Sequence, residues 1–201
     1  MHDVYSATAA DTAVVGSILG ESFRDDPVLV HIAGKDGLAD VLYPQAYRLV
    51  YAALGHTYLI RDDAGHPAGC SMWVGPGQST DDLSLGTILQ LTWTVLRSHG
   101  PATLYRLLKL GQVTSPKHPK ERHYYLNAIG ILRAGQGQGL GGQLMEHVLR
   151  MADQEGVPTY LENSREQNLA FYRRYNFEVT EQLTPLPGGP PLWLMRREPR
   201  E

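Results

Sequence analysis

A cluster of glycines in the last third of the chain constrains its fold and function most. Five of the 21 glycines fall within eight consecutive residues, Gly135-Gln136-Gly137-Gln138-Gly139-Leu140-Gly141-Gly142. The cluster follows a predicted strand and opens a predicted helix whose apolar side chains recur one turn apart. A glycine-rich turn at a helix N-terminus exposes several backbone N–H groups, and the helix dipole adds positive partial charge. The pattern therefore predicts a site for a phosphate or pyrophosphate group.

The composition narrows the classes of protein to consider. With 18 Lys+Arg against 21 Asp+Glu, the chain lacks the basic excess typical of nucleic-acid-binding proteins. The amino terminus shows no secretory signal, and no apolar run is long enough to predict a membrane span. We therefore expect a cytoplasmic protein that binds neither nucleic acid nor membrane. A single cysteine, and histidines that never pair at i, i+4, predict no metal site.

Hydrophobic periodicity gives a coarse map of the elements. In the first part we predict strands 4–7, 56–61 and 68–74, a helix from Asp11, and helices 43–54, 83–97 and 102–112. In the last third we predict strands 124–131, 157–161, 177–180 and 192–196, and helices 140–154 and 167–175. Strand–helix–strand order implies a parallel βαβ unit, whereas the hairpins imply antiparallel strands. We expect one α/β domain, 1–201, with a mixed sheet, a helical insertion at about 83–112 and a loop at 115–119.

Three types of glycine loop compete for the phosphate site. The nucleotide triphosphate loop needs a lysine after its last glycine, but Gln143 follows Gly142. The dinucleotide fingerprint fits by spacing, with Gly137, Gly139 and Gly142 followed by Glu162 at the end of the next strand. An NAD(P)-binding oxidoreductase is therefore an alternative. Against it, five residues separate the strand from the first glycine of the fingerprint, and too little chain follows for the second half of such a fold.

The third type carries a resemblance to a known family. Gln136-Gly137-Gln138-Gly139-Leu140-Gly141 resembles the Q/R-x-x-G-x-G/A loop of the GCN5-related N-acetyltransferases (GNAT). Downstream, 168–177 is similar to the N-x-x-A-x-x-x-Y-x-x-x-G-F region of that family, with Asn176 in place of the usual glycine. The resemblance covers 123–179. It implies a central, mostly antiparallel sheet with a splayed parallel strand pair.

The resemblance also implies the reaction and its residues. Acetyl-CoA would be the cosubstrate, and its acetyl group would pass directly to an amine. The coenzyme would contact Ile129, Gly130, Ile131, Gln136, Gly137, Gln138, Gly139, Leu140, Gly141 and Asn168. Tyr172 occupies the position of the usual general acid, which protonates the departing thiolate. Glu162 is a candidate general base, with His123 as the alternative; Asn127, on the same strand, cannot act as a base.

The acceptor is expected to be a small-molecule amine. Asp25 and Asp26 are candidates to attract a cationic amine. Equally, they are candidates for solvated acids at the end of a helix, with no role in binding. The helices at 83–112 would cover the acceptor cleft or form a subunit contact. Their apolar positions exceed one buried stripe, which favours a homodimer; they include Leu104, Leu107, Leu108 and Leu110. A sensor that binds acyl-CoA without catalysis is a further alternative.

Overall fold

The computed structural model describes residues 2–80 and 83–200. Seven strands form one sheet in the order β1-β2-β3-β4-β5-β7-β6. The strands are β1 (Val4–Ser6), β2 (Thr57–Arg61), β3 (Pro67–Val74), β4 (Tyr124–Ile131), β5 (Thr159–Asn163), β6 (Glu178–Leu183) and β7 (Leu192–Arg197). Every neighbouring pair is antiparallel except β4 and β5. The predicted mixed sheet is confirmed, and a doubly wound parallel sheet, as the dinucleotide alternative requires, is excluded.

Helices cover both faces of this sheet. They are α1 (Thr12–Ser22), α2 (Pro27–Ala33), α3 (Leu38–Ala46), α4 (Ala52–Leu54), α5 (Leu85–Thr114), α6 (Leu140–Glu155) and α7 (Leu169–Arg173). A π-helical turn, Tyr47–Tyr51, joins α3 to α4. None of the helices in the described ranges is both long and apolar enough to cross a bilayer.

Two apolar layers hold the sheet between the helices. On one face, α6 buries Leu144 and Val148 against strands β2 to β5. On the other face, α1 and α3 bury side chains such as Leu19 and Tyr43 against β2 and β3. Each layer excludes apolar surface from water, which is the main driving force for folding. The sheet between them is a rigid support on which loops can be positioned.

The parallel strands β4 and β5 separate part-way along their length. Their pairing ends at Leu126 and Leu161. At the same point β4 carries a bulge, because Met72 pairs with Ala128 and Trp73 pairs with Leu126, so that Asn127 is an extra residue. A bulge leaves one residue unpaired and bends its strand. A gap therefore opens between the ends of β4 and β5.

The sequence-based element map is corrected at α2, at α3, which begins at Leu38 rather than at residue 43, and at α7. Helix α2 was not predicted; it begins where Asp26 accepts hydrogen bonds from the N–H groups of Val28 and Leu29. The two helices predicted at 83–97 and 102–112 are confirmed as the two arms of α5, which meet at Gly100, where φ is 80°. The predicted helix 167–175 is shorter, a 3₁₀ turn at Glu166–Asn168 followed by α7.

Candidate active site

A cavity of about 770 Å³ occupies the gap between β4 and β5. The glycine loop, the start of α6, the α1–α2 turn and α7 complete its walls. It brings together nearly all the site residues expected from the sequence. The lining includes Ile129, Gly130, Ile131, Gln136, Gly137, Gly139, Leu140, Gly141, Glu162, Asn168 and Tyr172.

The backbone of the glycine loop has the conformation that the glycines predict. Gly137 and Gly139 have φ angles of 79° and 77°, a left-handed conformation that other residues rarely adopt. Gly142 leaves room for a neighbouring side chain, since a Cβ there would lie 2.5 Å from the hydroxyl of Tyr175, which would have to move. The loop places the free N–H groups at the start of α6 against the cavity, as an anion site requires.

The two glutamines of the loop stabilise it through backbone contacts. Nε2 of Gln136 donates to the carbonyl of Ile131 at 3.1 Å, and Nε2 of Gln138 donates to the carbonyl of Ala134 at 3.1 Å. Gln138, unlike Gln136, does not line the cavity. Its expected coenzyme contact therefore has no support in the geometry. Arg133 and Arg174 are among the residues that line the same cavity, and they are its positive charges nearest the loop and α7 in sequence.

The phenol of Tyr172 is buried at the cavity wall. Burial, and then the negative charge of Asp26, raise the pKa of this phenol. A raised pKa keeps the hydroxyl protonated at neutral pH, which is the state that a proton donor needs. Asn168 begins the same helix without making a side-chain cap hydrogen bond, and it lines the cavity.

The carboxylates of the α1–α2 turn already have partners. Asp26 is 3% exposed and accepts a hydrogen bond from the hydroxyl of Ser164 in addition to those from the start of α2. Asp25 pairs with Arg165 at 2.7 Å. These contacts join the turn to the segment after β5, so the geometry favours structural roles for both acids over attraction of a cationic amine.

Glu162 lies at the point where β5 leaves β4, and it contacts a histidine that sequence reasoning missed. Nε2 of His118 is 3.1 Å from Oε1 of Glu162. The two side chains are 29% and 13% exposed, so the pair is largely shielded from water. Because His118 lies in the segment interpreted as a loop, no sequence pattern connected it to a residue 44 positions away.

The alternative base, His123, lies near this pair without contacting Glu162. Its Nδ1 is 2.8 Å from the carbonyl of Glu121, and its ring centroid is 6.2 Å from that of His118. Burial lowers the pKa of His123. Of the two candidate bases, Glu162 therefore lies at the gap between β4 and β5, and His123 lies farther from the gap.

A second cavity, of about 450 Å³, adjoins the first. It lies between the segment that follows β3, the end of α5 and the segment that leads into β4. Its lining includes Tyr51, His118, His123 and Tyr125. Asn127, the bulged residue of β4, lines both cavities.

Comparison with known proteins agrees with this geometry. The profile of the acetyltransferase (GNAT) family matches residues 36–177. An N-acetyltransferase of Schizosaccharomyces pombe is 29% identical, over 95% of this chain and 81% of the relative.

Solved structures share the fold at low sequence identity. A Corynebacterium glutamicum protein described as histone acetyltransferase HPA2 and related acetyltransferase has a TM-score of 0.75 at 21% identity, covering 100% of this chain and 97% of that one. Arylalkylamine N-acetyltransferase 2 of Aedes aegypti has a TM-score of 0.73 at 13% identity, covering 99% of each chain. A polyamine N-acetyltransferase of Drosophila melanogaster has a TM-score of 0.67 at 12% identity, covering 98% of this chain and 100% of that one. The family match covers well over half of the chain: this protein belongs to the GNAT family and is an acyltransferase.

Proposed function

We propose that this protein transfers the acetyl group of acetyl-CoA directly to the amine of a small molecule. One observation carries the proposal: a single cavity joins an anion-binding loop, a gap between two strands and a protonated phenol. The acetyltransferases of arylalkylamines and polyamines among the structural neighbours support a small amine as acceptor. We take 1–201 as one domain and the cytoplasm as its location, both of which stay predictions.

The residues present fit acetyl-CoA. The start of α6 offers N–H groups to the pyrophosphate, and Arg133 and Arg174 add positive charge. Where β5 leaves β4, the backbone of Ile129–Ile131 has no strand partner on that side and can bind the pantetheine arm. Ser22 also lines this cavity, and its buried hydroxyl has no hydrogen-bond partner among the described residues.

The chemistry divides between Glu162 and Tyr172. Glu162 accepts a proton from the ammonium group, directly or through one water, and the free amine then attacks the thioester carbonyl. A C–N bond forms, the C–S bond breaks, and the Tyr172 hydroxyl donates its proton to the departing thiolate. The new amide nitrogen then loses its extra proton, directly or through water, to the Tyr172 phenolate, which restores the phenol. Positioning the two reactants side by side supplies a large part of the rate enhancement. These proton transfers supply a further part.

The direct test is acetyl transfer by the purified protein. Acetyl-CoA is mixed with a library of small amines, thiol release is followed, and the acetylated product is identified by mass spectrometry. We expect thiol release that depends on the amine. Thermal shift in parallel should show stabilisation by coenzyme A, because a ligand that binds only the native state raises its stability.

Two outcomes would contradict the proposal. Stabilisation by NAD(H) without stabilisation by coenzyme A would favour a dinucleotide-binding protein. Stabilisation by acetyl-CoA with no transfer to any amine in the library would favour an acyl-CoA sensor.

A further inference from the structure

The two cavities meet at one pair of side chains. Glu162 lines the first cavity, His118 lines the second, and their polar atoms are 3.1 Å apart. Asn127, beside them, lines both. If acetyl-CoA binds in the first cavity, as proposed, its thioester lies on one side of this pair. A reactant in the second cavity would lie on the other side and would pass the pair to reach it.

Contacts with three aromatic rings hold His118 in place. Its ring centroid is 4.5 Å from that of Tyr125 and 4.9 Å from that of Tyr160, with His123 at 6.2 Å. Rings packed on several sides restrict the rotation of the imidazole, so its Nε2 stays directed at the carboxylate. Among the described residues, the titratable groups that face the pair are these three rings and Tyr51, with Glu181 next to Tyr160. Burial and then the Glu162 carboxylate raise the pKa of the Tyr51 phenol, and burial followed by Glu162 and Glu181 raises that of Tyr160.

The segment that carries His118 is fixed at the end of α5. A 3₁₀ turn, Ser115–Lys117, precedes the histidine, and the N–H of His118 donates to the carbonyl of Ser115 at 3.3 Å. Nζ of Lys117 is 2.8 Å and 2.9 Å from the two carboxylate oxygens of Glu181 on β6. The end of α5 and the turn after it therefore position His118 beside the gap between β4 and β5.

We propose that the acceptor amine enters through the second cavity and that His118 is a positioning residue that holds the Glu162 carboxylate at the strand gap. This inference rests on the proposed acetyl transfer and assigns the acceptor side of its site. One oxygen of Glu162 accepts the hydrogen bond from Nε2 of His118. The other oxygen is then left for the proton of the incoming ammonium group.

Substitution of His118 tests the positioning role. Loss of a hydrogen bond to a charged group predicts that His118→Ala lowers kcat by about tenfold. The KM for acetyl-CoA should not change, because His118 does not line the coenzyme cavity. His118→Gln keeps an amide N–H that can reach Glu162 and should restore most of the lost kcat.

A second histidine–carboxylate pair provides the matched control. His66 is 4.0 Å from Asp62 in the exposed β2–β3 turn, so His66→Asn should keep wild-type kinetics. Wild-type kcat in His118→Ala would overturn the positioning role. An equal loss of kcat in His118→Gln and His118→Ala would also overturn the positioning role, because a side chain that can donate a hydrogen bond to Glu162 would then not restore kcat.

Chemical labelling tests the route of the amine. Ser115 is exposed and lines the second cavity, whereas Cys70, the natural thiol, is buried and its pKa is raised by burial. A bulky maleimide on the Ser115→Cys variant should raise the KM for the amine at least about tenfold without changing that for acetyl-CoA. The same label on Ala64→Cys, in the β2–β3 turn, should change neither constant.

The outcomes separate the inference from the proposed function. An unchanged amine KM after labelling at position 115 would overturn the route through the second cavity, while acetyl transfer by the wild type would still stand. If the wild type transfers no acetyl group to any amine, the proposed function itself fails. Radiolabelled acetyl transfer is the assay to use, since it does not depend on free thiols.

Discussion

Single residues at this site have roles that depend on their surroundings more than on their type. Tyr172 and Tyr175 lie on adjacent turns and both line the first cavity, between β4 and β5. Tyr172 is buried beside Asp26, which raises the pKa of its phenol, whereas the hydroxyl of Tyr175 lies against Gly142 at the start of α6. The first environment suits proton donation, and the second suits packing. From the sequence, only the family resemblance favoured Tyr172 over Tyr175 as the general acid.

Tyr172→Phe removes the proposed acid and little else. We expect kcat to fall by about 100-fold, the usual contribution of a general acid. The KM for acetyl-CoA should change little, because the ring remains. Steady-state kinetics at neutral pH measure both constants. Tyr105→Phe, on the exposed side of α5, is the control. A kcat within about threefold of wild type would show that Tyr172 is not a specific acid.

Gly130 shows how a helix constrains the coenzyme strand. A Cβ at this position would lie 2.5 Å from Oγ and 2.6 Å from Cβ of Ser22 on α1. Gly130→Ala therefore forces α1 away from β4, and we expect a loss of about 1–3 kcal/mol in the free energy of unfolding. Urea denaturation measures this loss. Gly111→Ala, on α5 where a Cβ meets no atom within 4 Å, should instead be neutral or stabilising. Equal stability of the two variants would contradict the predicted clash.

At the scale of elements, the sequence predicted well those strands and helices whose bounds depend on residues close together in the chain. The strand Tyr124–Ile131 and the helix that begins at Leu140 have the predicted bounds or nearly so, because apolar spacing and glycine punctuation specify them. Asn176 has a φ of 65°, as its place before Phe177 suggested. Helix α2 was missed because a proline often marks the end of a helix, whereas Asp26-Pro27 begins one here.

Contacts between residues far apart in the chain could not be predicted from the sequence. The pairing of His118 with Glu162 depends on where α5 ends relative to β5, and no spacing along the chain encodes that distance. The two candidate roles of Asp26 were also equivalent until its partners were known. The glycine loop, by contrast, was predictable, because its conformation depends on residues that are adjacent in sequence.

An ion pair between α6 and β7 makes the stability of the fold depend on pH. Arg197, 2% exposed, makes two bonds to Asp153 at 2.7 Å and 2.8 Å. Burial alone would raise the pKa of Asp153, but the bonds from Arg197 and from the N–H of Arg200 outweigh it and lower the pKa. This pair therefore stabilises the fold above the unfolded pKa of about 3.9, and the stabilisation is lost as pH falls through the lower folded value.

Asp153→Asn leaves the Arg197 guanidinium without its charged partner. We expect a loss of about 3 kcal/mol in the free energy of unfolding at pH 7. The difference from wild type should be constant above about pH 5 and shrink below about pH 4. Urea titrations across this range measure it. Asp63→Asn, in the exposed β2–β3 turn, is the control. A difference that does not depend on pH would show that the carboxylate charge is not responsible.

At the scale of the molecule, α5 presents two apolar faces. Leu107 and Leu110 pack against the cluster formed by α2, β5 and β7. On the outer side, Leu85, Leu89 and Trp93 recur every four residues and are 71%, 59% and 63% exposed. Exposed stripes of this kind are typical of protein interfaces. The expected homodimer stays a prediction, and this stripe is the surface that we expect a second copy of the chain to cover.

Trp93→Glu places a charge in the middle of that stripe. If the wild type is a dimer in sedimentation equilibrium, the variant should be a monomer at the same concentration, since an unpaired charge in an interface is strongly unfavourable. Gln90→Glu adds the same charge to an exposed position of the same helix and should stay dimeric. A monomeric wild type, or a dimeric Trp93→Glu variant, would show that this stripe is not the interface.

The bulge at Asn127 means that the opening between β4 and β5 is set by the number of residues in a strand. The extra residue returns Ile129 and Ile131 to the face that already holds Tyr124 and Leu126. Exchanging one side chain for another along β4 leaves that count intact, so alanine scanning would not test the feature that opens the gap. Removing the extra residue would leave Ile129 and Ile131 on the same face but restore regular pairing, without the bend that opens the gap. Relatives and redesigned versions of this chain should therefore tolerate substitutions along β4 better than a change in its length.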